Sequence, residues 1–213
     1  MQPAWCACLL NNSGKLIQSS HGIPSDDASG VNVLIYYSNY VLEKSILNGA
    51  CAPTDAQEAL TVNGAALLHT MGFGLINLFF ALPAFFLIDH LGRRTLLLLT
   101  FPVLALAHTV TATSFPSHAE SGGKSGLHQF LAGYYLFGIF YSFGEGPVPF
   151  VYASESMPLF VRDESMGFVT SVNWFFNWLV ALSAPFLFVK LGSGGTFAFY
   201  ALWCLLLWFL ILL

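Results

Sequence analysis

Four stretches of this chain, residues 59–88, 95–119, 165–189 and 191–213, contain no Asp, Glu, Lys or Arg at all. Each is near or above the roughly 20 apolar residues that a helix needs to cross a bilayer. Soluble proteins also bury apolar helices, but these seldom run past about 14 residues without a charged face. Composition closes that route, because only 8% of the residues are charged, against about 25% in a typical soluble domain. So few charges cannot cover a water-facing surface. The stretches are therefore read as membrane-spanning helices, and the fold class as an all-α membrane protein.

Six hydrophobic segments follow from this reading, at about 30–47, 64–88, 95–115, 127–152, 167–189 and 195–213, after a polar, irregular N-terminal tail over 1–29. The tail has no basic region followed by an apolar one, so it is not a secretory signal peptide. The first segment is short for a span. Asp26 and Asp27 lie just upstream, and Glu43 and Lys44 close its far end. The connection Asp89-His90-Leu91-Gly92-Arg93-Arg94 is very short and basic, which belongs on the cytoplasmic side. Strict alternation then puts 157–163 inside as well, and 48–63, 117–125 and 190–194 outside.

Several chemistries find no support. A net charge of −4 provides no basic footprint for nucleic acid. Cys6, Cys8, Cys51 and Cys204 fall into no CxxC or His-paired pattern, so neither a metal site nor a disulfide framework is read, and no cofactor is implied. An intramembrane enzyme would need an HExxH, a GxSxG or a paired intramembrane Asp, and none occurs.

Polar side chains are costly in hydrocarbon, so those inside the spans should face the bundle interior or a water-filled cavity. Asn32, Asn77, Asn173 and Asn177 are such residues. Asn173 and Asn177, four apart, share one helical face, with Trp174 and Trp178 beside them at the same spacing. An amide beside an indole suits a sugar, whose hydroxyls use the amide while its C–H face stacks on the ring. Helix-to-helix hydrogen bonding with interfacial Trp anchoring explains the same spacing equally well. Gly144-Glu145-Gly146-Pro147-Val148-Pro149-Phe150 should interrupt a helix in mid-membrane, as happens where backbone lines a cavity. Glu145 is the carboxylate well inside an apolar segment, a candidate for proton coupling or gating. The alternative for it is a place where the helix meets water.

Taken together, these motifs resemble a known family. Gly30-Val31-Asn32 with Tyr36-Tyr37, then Asp89-x-x-Gly92-Arg93-Arg94, then Gly144-x-Gly146-Pro147-Val148-Pro149 with Glu155, Pro158 and Arg162, and Asn173-Trp174 with Asn177, are similar in order and spacing to the sugar porter family of the major facilitator superfamily. The run from Gly144 to Phe150 is most similar to fungal members. The match falls on helices seven to twelve, so the resemblance implies a six-transmembrane-helix bundle corresponding to the C-terminal half of the major facilitator fold, over 30–213. It further implies a multi-pass protein, of the plasma membrane, that moves sugars or related polyols by alternating access. By position it places Asn32, Tyr36, Asn77, Tyr141, Phe150, Asn173 and Trp174 at the substrate. A cytoplasmic latch would comprise Asp89, Arg93, Arg94, Glu155 and Arg162.

Three departures qualify the match: Asp26-Asp27 stands where the family has a sugar-binding Gln pair, Phe150 replaces a tryptophan, and the motif expected after the twelfth helix is not found. A facilitator works by rocking two six-helix halves around a shared site. The expectation is therefore a truncated half in which 1–27 replaces the family's upstream sequence, unlikely to transport alone. It would have the bilayer, a small sugar or polyol and either an N-terminal half or a second copy as partners, and no nucleic acid. The rival expectation is a non-transporting membrane partner or sensor.

Overall fold

A computed structural model describes residues 29–46, 56–115 and 124–212. The polar tail, the Asp26-Asp27 pair, Cys6, Cys8 and Cys51 lie outside the described residues, as do the side chains of Glu43 and Lys44. Among the described residues the helices are α1 (Val31–Tyr36), α2 (Ser38–Ile46), α3 (Ala56–Leu91), α4 (Arg93–Thr113), α5 (Lys124–Phe143), α6 (Val148–Ser156) and α7 (Arg162–Leu212), with a 3-10 turn at Leu159–Val161 before α7. No strand occurs among them.

Among the described residues three helices are long and apolar enough to cross a membrane: Asn63–Leu91, Arg93–Thr113 and Leu159–Leu212. The 21 residues of α4 rise about 32 Å at 1.5 Å per residue, matching a hydrocarbon core of about 30 Å. At 51 residues α7 is far too long for one crossing, and its ladder is interrupted at Gly192, with φ 71° and ψ 176°. That conformation is open essentially to glycine alone. The connection expected over 190–194 is thus compressed to one residue between arms 162–191 and 193–212. The other expected segments are divided: 30–47 breaks at Tyr37 into α1 and α2, and 127–152 breaks at 144–147 into α5 and α6. Among the described residues, three helices rather than six therefore qualify as spans by length and composition.

The outside of the protein is apolar. Along α3, Leu68, Met71, Leu75, Leu78, Phe79, Leu82, Phe85 and Phe86 recur at helical spacing and are all exposed. Water would not tolerate a continuous stripe of this kind, whereas acyl chains do. Small and polar residues turn inward instead. Hydroxyls within the helices bond the carbonyl one turn back, as in Thr109 to Ala105 (2.8 Å), Thr111 to Ala107 (2.8 Å) and Thr196 to Gly192 (2.8 Å). This satisfies groups that hydrocarbon cannot.

At the centre lies α4, packed on α7 and α5, while α5 packs on α3, α2 on α3 and α1 on α7. Phe101, Leu104, Ala107, Phe130, Tyr134, Phe137 and Phe197 are fully or almost fully buried there. The two ends of the bundle are distinct. One gathers Asp89, Arg93, Arg94, Glu155 and the end of α7, joined by the contacts described below. At the other, Gln129 near the start of α5 donates to Thr113 at the end of α4 (2.8 Å).

Candidate functional site

The first group of polar residues lies on the seam between α1 and α7. Asn32 on α1 and Asn173 and Asn177 on α7 are all buried, at 8%, 9% and 9% exposure. The helical period that puts Asn173 and Asn177 inward turns Trp174 and Trp178 outward, at 61% and 59% exposure. Tyr36, half exposed, crosses the seam: its hydroxyl accepts from Asn177 Nδ2 at 3.2 Å. Just beyond it, Tyr37 donates to the Ala181 carbonyl at 2.9 Å. One turn of α1 and two of α7 are thereby stitched through phenol and amide groups. Such groups can exchange a partner for a solute hydroxyl.

A second group joins α3 to α5. Ser142 donates to Asn77 Oδ1 at 2.7 Å and lies at the same distance from the Gly138 carbonyl, so its one proton is shared between them. Its neighbour Tyr141 is half buried, stacked on Phe137 with ring centroids 5.9 Å apart. Ser142, which the sequence reading did not single out, is the partner that holds Asn77. Nothing in local spacing links residues on two helices so far apart in the chain.

The break between α5 and α6 follows. Its backbone bonds run from Gly144 N to Phe140 O, Gly146 N to Tyr141 O and Val148 N to Gly144 O, so the helix widens for one turn instead of ending. Gly144 is pressed against α4, where an added Cβ would collide with the Thr100 side chain. Glu145, inside this turn, has no exposed surface. Phe150, on the first turn of α6, is half buried.

The third group is charged and lies at one end of the bundle. Arg93 Nη2 donates to Glu155 Oε1 at 2.5 Å, and the same nitrogen is 3.9 Å from Asp89 Oδ1. Asp89, Arg93 and Glu155 therefore form one cluster that ties α3, α4 and α6. Arg94 acts differently. Its Nε and Nη2 donate to the Ile211 carbonyl (3.2 and 3.0 Å) and Nη2 also to that of Leu212 (2.8 Å), capping the last turn of α7. Arg162 makes no ion pair among the described residues, and its Nε is buried without a hydrogen bond there. Of the five latch residues expected, three meet and two do not join them.

Among the described residues, no group of His, Cys, Asp and Glu is placed to hold a metal ion.

The profile of the family described as "Sugar (and other) transporter" matches residues 25–213. The chain is 28% identical over 180 residues to "Sugar transporter ERD6-like 6" of Arabidopsis thaliana, covering 82% of this chain and 34% of that protein. It is 29% identical over 177 residues to "Probable polyol transporter 3" of the same plant, covering 83% and 32%. A crystal structure of a D-xylose–proton symporter superposes with a TM-score of 0.74 at 21% identity, over 96% of this chain and 43% of that one. The likeness establishes a shared fold. The chain spans about a third of the length of the curated relatives it matches.

Proposed function

Because the chain belongs to the sugar (and other) transporter family, a family of membrane transporters and not of enzymes, we propose that it supplies the C-terminal six-helix half of a carrier that moves a sugar or related polyol by alternating access. In this reading six crossings are made by α1 with α2, by α3, by α4, by α5 with α6, and by the two arms of α7. Asn32, Asn77 and Asn173 hold solute hydroxyls, Tyr36, Tyr141, Phe150 and Trp174 supply ring faces, and the plasma membrane is the site of action. Asp89, Arg93, Arg94, Glu155 and Arg162 form the latch on the cytoplasmic side.

The observation that carries the proposal is the α1–α7 seam. Buried amides stand beside exposed indoles there, and Asn177 reaches Tyr36 on the facing helix. A sugar offers hydroxyls and an apolar C–H face at once, which is the complement of such a surface. Rocking carriers bind between two halves, so the remaining wall comes from a second six-helix unit.

Uptake of radiolabelled D-glucose and D-sorbitol in a transport-deficient host tests this. Saturable uptake is expected when the chain is co-expressed with an N-terminal half of a relative, and not from the chain alone. Uptake by the chain alone would overturn the two-half reading, and none in either case, with both chains inserted, would overturn transport. Glu145, buried in the widened turn, is the proposed proton-coupling carboxylate. Glu145→Gln is then expected to retain uptake while abolishing its dependence on external pH. A second reading is a non-transporting partner or sensor, which pairs with another half-transporter or with itself through the face that carries Asn32, Asn77 and Asn173, where the exposed Trp174 stands beside Asn173. Cross-linking in membranes separates it, since a strictly monomeric chain would count against it.

A further inference from the structure

The carbonyl of Ser29, one residue ahead of the cap of α1, is held from two other helices. His108 of α4 is 1% exposed and its Nε2 lies 2.8 Å from the Ser29 oxygen. A carbonyl only accepts, so Nε2 carries the proton and donates. Cys204, fully buried on the far arm of α7, points its thiol at the same oxygen from 3.5 Å.

Local backbone geometry turns that oxygen toward the two side chains. Gly30 has φ 90° and ψ 8°, and Leu34 N donates to the Gly30 carbonyl at 3.1 Å as α1 begins. The left-handed turn at Gly30 is what lets the Ser29 carbonyl face α4 and the far arm of α7. The root of α1 is also tightly enclosed. A Cβ on Gly30 would stand 2.9 Å from the Tyr200 ring and 3.2 Å from His108 Nε2.

Beyond this root, α1 and α2 have different attachments. Toward its end α1 is held again on α7 through Tyr37 and the Ala181 carbonyl, at 2.9 Å. After the break at Tyr37, α2 packs on α3, where Thr70 donates to Asn39 at 3.0 Å. One helix is thus fixed to the α4–α7 core at both ends, and the next belongs to another neighbour.

We propose that His108 and Cys204 form a two-donor clasp on the Ser29 carbonyl, which holds α1 as a rigid seat for Asn32. His108 is then a positioning residue for sugar recognition, acting through the backbone three residues ahead of Asn32. The sugar-facing role of Asn32 rests on the function proposed above, but the clasp itself does not.

The test uses the full chain in detergent with Cys6, Cys8 and Cys51 changed to Ser, so that Cys204 is the remaining thiol. His108→Leu removes the donor at similar bulk, His108→Gln keeps an N–H at comparable reach, and Phe130→Leu loosens the same core one ring away from His108, through Phe197, without removing a donor. Alkylation of Cys204 by N-ethylmaleimide is expected to accelerate about tenfold or more in His108→Leu and to stay within about twofold of the parent in His108→Gln and Phe130→Leu, since labelling of a buried thiol follows local opening. Tryptophan fluorescence titrated with D-glucose and D-sorbitol is expected to show weakened affinity in His108→Leu and its recovery in His108→Gln. An unchanged labelling rate in His108→Leu would overturn the clasp, as would an equal acceleration in Phe130→Leu, which would mark general loosening. Faster labelling with unaltered sugar affinity would overturn the seat for Asn32. A parent chain that binds neither sugar, with labelling still raised by His108→Leu, would overturn the sugar-site reading and uphold the clasp, so the two failures are distinguishable.

Discussion

Asn77 and Arg93 are both polar groups on an apolar protein, and their surroundings set how much each is worth. Asn77 has its carbonyl engaged by Ser142 at 2.7 Å, which orients the amide. On the proposed function Asn77 bonds a solute hydroxyl, and losing one such bond costs about 0.5–1.5 kcal/mol, so Asn77→Ala should weaken sugar affinity by up to about tenfold in a fluorescence titration. Ser142→Ala should weaken it less, since the amide remains. The Arg93–Glu155 pair is more solvated, with side chains 32% and 50% exposed. A double-mutant cycle on thermal stability should return only about 0.5 kcal/mol of coupling, shrinking as salt is added. Sequence spacing made Asn173 and Asn177 legible as one face, because the helical period alone fixes which residues share a side. It could not reveal the Ser142 partner of Asn77 or the capping of α7 by Arg94, since both depend on how distant helices dock. The Ser29 carbonyl left no mark either, being a backbone atom that any residue would carry.

Among the elements, the breaks are more informative than the helices. Gly and Pro between 144 and 150 announced an interruption from chemistry alone, and the helix does widen there. The break at Tyr37 had no such signal, as no Gly or Pro lies within 31–46. Ser38, whose hydroxyl donates to the Ile35 carbonyl at 3.0 Å, sits at the break, and beyond it α2 takes a different neighbour from α1. At Gly192 the sequence shows Gly-Ser-Gly-Gly over 192–195, and the turn uses the first glycine. Gly192→Val places a branched side chain in a conformation that costs about 1–3 kcal/mol, and the thermal midpoint in detergent should fall accordingly. Gly194→Ala is a weaker control, because it meets the Ala112 and Phe115 carbonyls at 3.0 and 3.1 Å without a positive φ.

For the whole molecule, charge-free stretches of bilayer length settled the solvent, and the apolar exterior of α3 agrees with it. The chain should stay in the membrane pellet after alkaline carbonate and require detergent for release. The helices also dictate sidedness. Arg93 opens α4 and Lys124 opens α5, whose first turns lie at opposite ends because Gln129 meets Thr113 at the far end of α4. Single cysteines at positions 93 and 124 should therefore react with an impermeant maleimide from opposite faces of sealed vesicles, and reaction from one face would refute this arrangement. The one-residue turn at Gly192 carries a further consequence for biogenesis. With almost no hydrophilic linker between them, the arms of α7 cannot be threaded and released one after the other by the insertion machinery. They are expected to leave it together, as a preformed hairpin, so the first arm has to wait beside the machinery until the second has emerged.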